Sequence, residues 1–222
     1  MEFGNKHMTE REDARQKLTD AIIAHDEPLA LKHAISENIT IGIVELAKKT
    51  LKKLQSSDEN YPAARRIYGN ILAKADRGVL DTVITSPIGE DVVLDAKCEI
   101  GSRDLLKAIE VGDLESVKVS ARKQIIREVL NEDHLKLAIK KHELEVLLHK
   151  PRTKAPLKDK SKKAETHICE ATQIVQILFR HAEKPMLEAL QPGASWSVKE
   201  LIKEEFDIRE IGKNHPLNRW LT

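Results

Sequence analysis

Apolar residues recur along most of this chain at the spacing of one helical face, and one pentad recurs outright. Leu-x-x-Ala-Ile occurs at Leu18 to Ile22, Leu31 to Ile35, Leu105 to Ile109 and Leu135 to Ile139. The first and third copies share a longer frame. In each, an Asp follows five residues after the Ala (Asp26, Asp113) and a small residue thirteen after it (Ala34, Ala121). A stripe at i, i+3 and i+4 marks an amphipathic helix, and an Asp after a short break is a good N-cap for the next one. The frame predicts a helix, a break and a second helix, used twice.

The same periodicity predicts helices over about 9–24, 28–36, 40–54 and 62–76, then from Ser102 to Gly112 and over about 114–130, 133–149 and 164–182. A short helix follows Pro185, and Ser197-x-x-Glu200 has the form of a capping box before Leu201 and Ile202. Residues 79–100 stand apart. Val79 to Thr85 is rich in β-branched residues, Ser86 to Asp91 supplies turn chemistry, and Val92 to Lys97 is apolar again. This is the chain's one credible β-hairpin, the alternative being two helix fragments around a Pro-Gly loop. The fold class expected is mainly α: a body of helical hairpins with at most one small β-hairpin, plus a small C-terminal helical or winged-helix-like module.

Composition sharpens the division into parts. The chain has 222 residues, 41% hydrophobic and 33% charged, which suits thin helical layers with much solvated face. Its net charge of +1 is unevenly spread. Residues 150–163 hold 7 Lys/Arg against 1 Asp/Glu, whereas 1–149 hold 23 against 26 and 164–222 hold 7 against 9. Pro151 and Pro156 with this run of cations predict a linker. The domains expected are therefore 1–8 as vector-like residues, 9–149 as the main helical domain, 150–163 as a basic linker and 164–222 as the C-terminal module. Trp196, Trp220, Phe179 and Phe206 all lie in that last part, which predicts an aromatic mini-core there. No apolar run reaches the ~18 residues of a membrane span. Cys98 and Cys169 have no metal-type pairing, and an intracellular, cytoplasmic location is the expectation.

Candidate chemistry is sparse. Asp81 with Asp95-Ala96-Lys97 resembles metal-dependent nucleases of the PD-(D/E)xK type, over about twenty residues and with Leu80 where that family has Pro. The resemblance implies two carboxylates holding Mg²⁺ and a lysine positioning water. The basic residues Arg152, Lys154, Lys158, Lys160, Lys162 and Lys163 offer charge for phosphates or an acidic protein surface, without aromatics for base stacking. His142-Glu143 and His149 lack the His-Glu-x-x-His spacing, and no phosphate-cradling glycine loop or Gly-x-Ser-x-Gly elbow is present. Residues 183–222 loosely resemble a winged-helix module, but Glu200, Glu204 and Glu205 crowd the helix in the recognition position. Asp104 to Glu115 looks like the opening of an ankyrin-type helix pair. Thr-Pro-Leu-His is absent, however, and the two frames lie 87 residues apart (113 − 26).

The expectation is an interaction or adaptor protein that binds partner proteins through helical surfaces, with no cofactor, no metal and no membrane, and with nucleic acid as a weak partner. The alternative is a nucleic-acid binder or metal-dependent nuclease using Asp81, Asp95 and Lys97. The linker reading has a direct test. Limited trypsin digestion should cut first within 150–163 and leave fragments of about 1–150 and 164–222, because prolines and clustered cations resist helix formation. Earlier cleavage elsewhere with this stretch spared would refute it.

Overall fold

The computed structural model describes residues 3–122, 125–149 and 161–214, with side chains over 10–122, 126–147 and 170–210. Every long element among them is an α-helix. The chain divides into two compact units, residues 1–100 and 101–222.

The first unit holds α1 (Phe3–Ala24), α2 (Glu27–His33), α3 (Ile41–Lys52), α4 (Tyr61–Lys74), α5 (Arg77–Thr85) and the first half of α6 (Glu90–Val111). Helix α1 packs on α2 and α3 on α4, and the pairs stack, α1 on α3 and α2 on α4. The joint between α1 and α2 shows why the sequence turns there. His25 adopts a left-handed backbone (φ 57°), and Asp26 N–H reaches back to Ala21 O at 3.0 Å, closing the helix end. Asp26 Oδ1 then accepts from Leu29 N at 3.0 Å and starts α2. The bidentate pair between Arg66 and Glu27, at 2.6–2.8 Å, fastens α2 to α4. Leu18, Ile22, Val44, Ile67, Ile71, Leu80 and Val83 form the core beneath.

The hairpin expected over 79–97 is replaced by α5, a Ser-Pro-Ile-Gly turn and the start of α6. Asp76 caps α5 through Val79 N at 2.8 Å. Leu80 and Val83, three apart, are both fully buried, which an alternating strand cannot give, and Ala96 is buried four after Val92, as the helical period also requires. Thr82 and Ser86 donate their hydroxyls to carbonyls four residues back, at 2.6 Å in both cases. The β-branching of Thr82 and the hydroxyls of both are thus accommodated by the helix and its C-terminal end.

The second unit holds the rest of α6, then α7 (Leu114–Arg122), α8 (Ile125–Val129), α9 (Glu132–His149), α10 (Ser161–His181), α11 (Lys184–Leu190) and α12 (Trp196–Asn214). The α6–α7 joint repeats the first. Gly112 is left-handed (φ 76°), Asp113 N–H bonds to Ala108 O at 2.8 Å, and Asp113 Oδ1 accepts from Ser116 N at 3.0 Å. Helix α10 is the centre of this unit, packing on α7, α9 and α12 with Val175, Leu178 and Phe179 buried. Arg209 of α12 pairs with Glu205 at 2.8 Å and donates to the Phe179 and Ala182 carbonyls, satisfying the end of α10.

Two further expectations change here. The two units divide within α6, and α9 and α10 pack together inside the second; of the stretch 150–163, residues 150–160 lie outside those described and 161–163 open α10. The C-terminal part is helical, with no strand among the described residues to make a wing. Trp196 is 78% exposed instead of sitting in an aromatic core, and Ser195 rather than Ser197 precedes α12.

The burial pattern in α5 and α6 makes a quantitative prediction. Leu80→Ala should cost about 2–5 kcal/mol and Asp76→Ala about 1, while Leu94→Ala, at a site 53% exposed, should stay within about 0.5. Urea unfolding of the three variants checks the order, and a severe Leu94 effect with a mild Leu80 effect would contradict the helical register.

Candidate functional site

Asp95, the strongest of the sequence candidates, lies on the inner flank of α6, four residues after Asp91. Lys48 and Lys52 have the same spacing on α3, so two i, i+4 pairs of opposite sign face each other. Lys48 Nζ lies 2.6 Å from Asp95 Oδ2 and 3.4 Å from Asp91 Oδ2, and Lys52 Nζ lies 2.8 Å from Asp91. Tyr68 of α4 donates its hydroxyl to Asp95 Oδ2 at 2.8 Å, and Lys48 sits 5.0 Å above its ring. The five side chains tie α3, α4 and α6 together.

The electrostatics are those of a closed network. Burial works against the charge on Lys48, yet Asp95 and Asp91 outweigh it and hold the ammonium above its ordinary range. Burial, then the hydrogen bond to Asp95, pushes the Tyr68 phenol well up, so it stays a donor. The Lys52 hydrogen bond, against burial and with help from Lys48, holds Asp91 below the usual carboxylate range. Both carboxylates are thus occupied by cations and a phenol.

The other members of the nuclease pattern are elsewhere. Asp81 is exposed on α5, with Arg77 3.9 Å away on its own helix. Lys97 is exposed and follows Asp95 by two helical residues, about 200° round the helix. On strands the Asp-x-Lys pair would share a face; on α6 it is split. Among the described residues no group of three His, Cys, Asp or Glu side chains can hold a metal ion. Of the basic residues, Arg152, Lys154, Lys158 and Lys160 lie outside the described residues. Lys162 and Lys163 fall in the first turn of α10, with their side chains outside the described set.

Two features escaped the sequence reading. One is the Lys48–Tyr68 side of the network, whose signal was the matched i, i+4 spacing of Lys48/Lys52 and Asp91/Asp95. The other is a groove of about 510 Å³ between α6 and α7 in the second unit. Its small lining residues include Gly101, Ala108, Ser116 and Ser120, with Asp104, Lys107 and Asp113 as its charges. Val111 and Val119, on opposite sides, are 68% and 43% exposed. Hydrogen bonds from Ser116 hold the Asp113 carboxyl below its ordinary range, so that charge persists well into acid.

Comparison with family models, curated proteins and solved structures finds no match to this chain.

If the network is structural, its members are coupled. Asp95→Ala should cost roughly 1–3 kcal/mol and Tyr68→Phe about 1, with the double variant losing less than the sum. Equilibrium unfolding of the double-mutant cycle measures this. Strict additivity would show that the Tyr68–Asp95 contact carries no energy.

Proposed function

We propose that this chain is a helical interaction protein, an adaptor or structural component of the cytoplasm that docks partner proteins through its helical surfaces. The observation that carries the reading is the α6–α7 groove. Two valines stand largely exposed across it, over small residues that let another backbone approach closely. Apolar side chains exposed at the lining of a groove offer a partner contact that removes them from water. The α6 side, from Gly101 to Val111, is about 15 Å long, near three helical turns. The occupant proposed is one amphipathic helix of a partner protein, with apolar residues on the inner face and charges of both signs to meet Asp104, Lys107 and Asp113. Stacked helix pairs in the first unit are in keeping with a scaffold role. No helix among the described residues is long and apolar enough to cross a membrane.

The nuclease reading is not favoured by any contact: Asp95 is engaged by Lys48 and Tyr68, and Asp81 and Lys97 face other surroundings. A paired experiment separates the two. A photo-crosslinking residue at position 119 should capture a discrete partner, and one at exposed Lys49 should not. Val111→Asp with Val119→Asp should abolish that capture with unfolding midpoint unchanged. The same preparation should leave nucleic acid intact in Mg²⁺ or Mn²⁺ and release duplex DNA near ~150 mM salt. Equal capture at both positions, or metal-dependent cleavage that vanishes in Asp95→Ala, would overturn the reading.

A further inference from the structure

Val111, one of the two valines of the groove, is also a wall of another cavity, of about 130 Å³, where the end of α6 meets α9 and α10. The volume is far more than the roughly 10–15 Å³ that one water needs. It is well under the ~300–1,000 Å³ of a site for a drug-sized ligand. The space suits a side chain.

Its walls are of two kinds. Ile109 of α6, Ala138 of α9, and Ala171 and Ile174 of α10 are buried apolar residues that line it. Lys141 and Glu145 of α9 and Glu170 of α10 line it with charge, two carboxylates against one ammonium. The ammonium is already engaged, because Lys141 Nζ donates to the Glu110 carbonyl at the end of α6. Glu145 has no such match. Its Oε2 is buried and accepts no hydrogen bond from a described residue. The imidazole that feels its charge, His142 on the same helix, is held below the usual imidazole range, chiefly by burial. That ring is therefore neutral at about pH 7.5 and supplies no counter-charge. A carboxylate only accepts, and its two oxygens share the charge, so a cation that meets either one offsets it.

We propose that this cavity takes the side chain of a lysine or arginine carried by the partner helix in the α6–α7 groove, and the assignment rests on that groove being the docking site. The methylene stem lies against Ile109, Ala138, Ala171 and Ile174, and the charged head meets Glu145. Long basic side chains bury their stems on apolar surface and keep the head on polar ground. The shared wall at Val111 makes the cavity a side branch at one end of the groove. A side chain seated in a pocket is the usual energetic anchor of an interface. The partner helix thus carries a basic residue at the end that lies on Val111 and Gly112, and an acidic residue there is excluded by the two carboxylates.

The preference of the cavity is read without any partner, on the full chain at about pH 7.5. Butylammonium and butylguanidinium reproduce the stem and head of the two side chains, while butanol and butyrate keep the size and change the charge. The two cations should bind with Kd in the millimolar range, seen as shifts of the Ala138, Ala171, Ile109 and Ile174 methyl resonances. Butyrate should leave those resonances in place. Glu145→Gln should weaken butylammonium binding at least about tenfold. Ala171→Leu, which fills the cavity, should do the same and serves if the first variant fails to fold. With the photo-crosslinking residue at position 119, Glu145→Gln should also lower partner capture about tenfold. Equal binding of butanol and butylammonium, or a folded Glu145→Gln protein that binds as the wild type does, would overturn the proposal. Capture at position 119 that ignores Glu145→Gln would assign the cavity to a free amine, and would overturn it too. Absence of capture by the wild type with the methyl shifts intact would instead mark the failure of the groove as a docking site, and the partner's side chain would fall with it.

Discussion

The left-handed joint is the constraint on which this fold rests. Each time it appears, one residue leaves the right-handed helix, the next sends its N–H back five residues to close the finished helix, and its carboxylate opens the new one. At each joint, hydrogen bonds made by two successive residues satisfy carbonyls at the end of one helix and an N–H at the start of the next that would otherwise be orphaned. The reversal is then sharp enough for neighbouring helices to share a core. At the second joint Gly112 takes the left-handed position without steric cost. At the first, His25 occupies it, one of the few side chains that tolerates that region. Lengthening either joint by a residue would rotate the following helix by about 100° and turn its apolar face away from the core.

Beyond these joints, long-range polar contacts decide which helices meet. Arg66 with Glu27, Lys48 with Asp95 and Arg209 with the end of α10 each link elements distant in the chain. The exposed Arg66–Glu27 pair adds little free energy by itself. Arg209 differs: Glu205 is buried, and the guanidinium satisfies carbonyls that α10 could not satisfy alone. At Asp95 the ammonium of Lys48 and the phenol of Tyr68 both meet Oδ2, so any ligand of that oxygen would have to displace them and leave both without their partner.

The docking role proposed for this scaffold rests on one of its surfaces. There α6 and α7 line a groove, with Val111 68% and Val119 43% exposed.

The sequence by itself determined the helices, because apolar period, caps and breakers act within a few residues. Leu18-x-x-Ala21-Ile22 and Leu105-x-x-Ala108-Ile109 with their trailing Asp residues announce both joints. Local preference misled where β-branching in 79–85 suggested a strand. Burial of Leu80 and Val83 against the first core favoured a helix, and that packing energy comes from residues far along the chain. The division into units, the exposure of Trp196 and the partners of Asp95 were decided by the tertiary structure. Each depends on which helices lie side by side, and Leu, Ala, Ile, Lys and Asp at helical spacing fit many neighbours equally well. A periodic pattern says which face is buried; only the folded chain says against what.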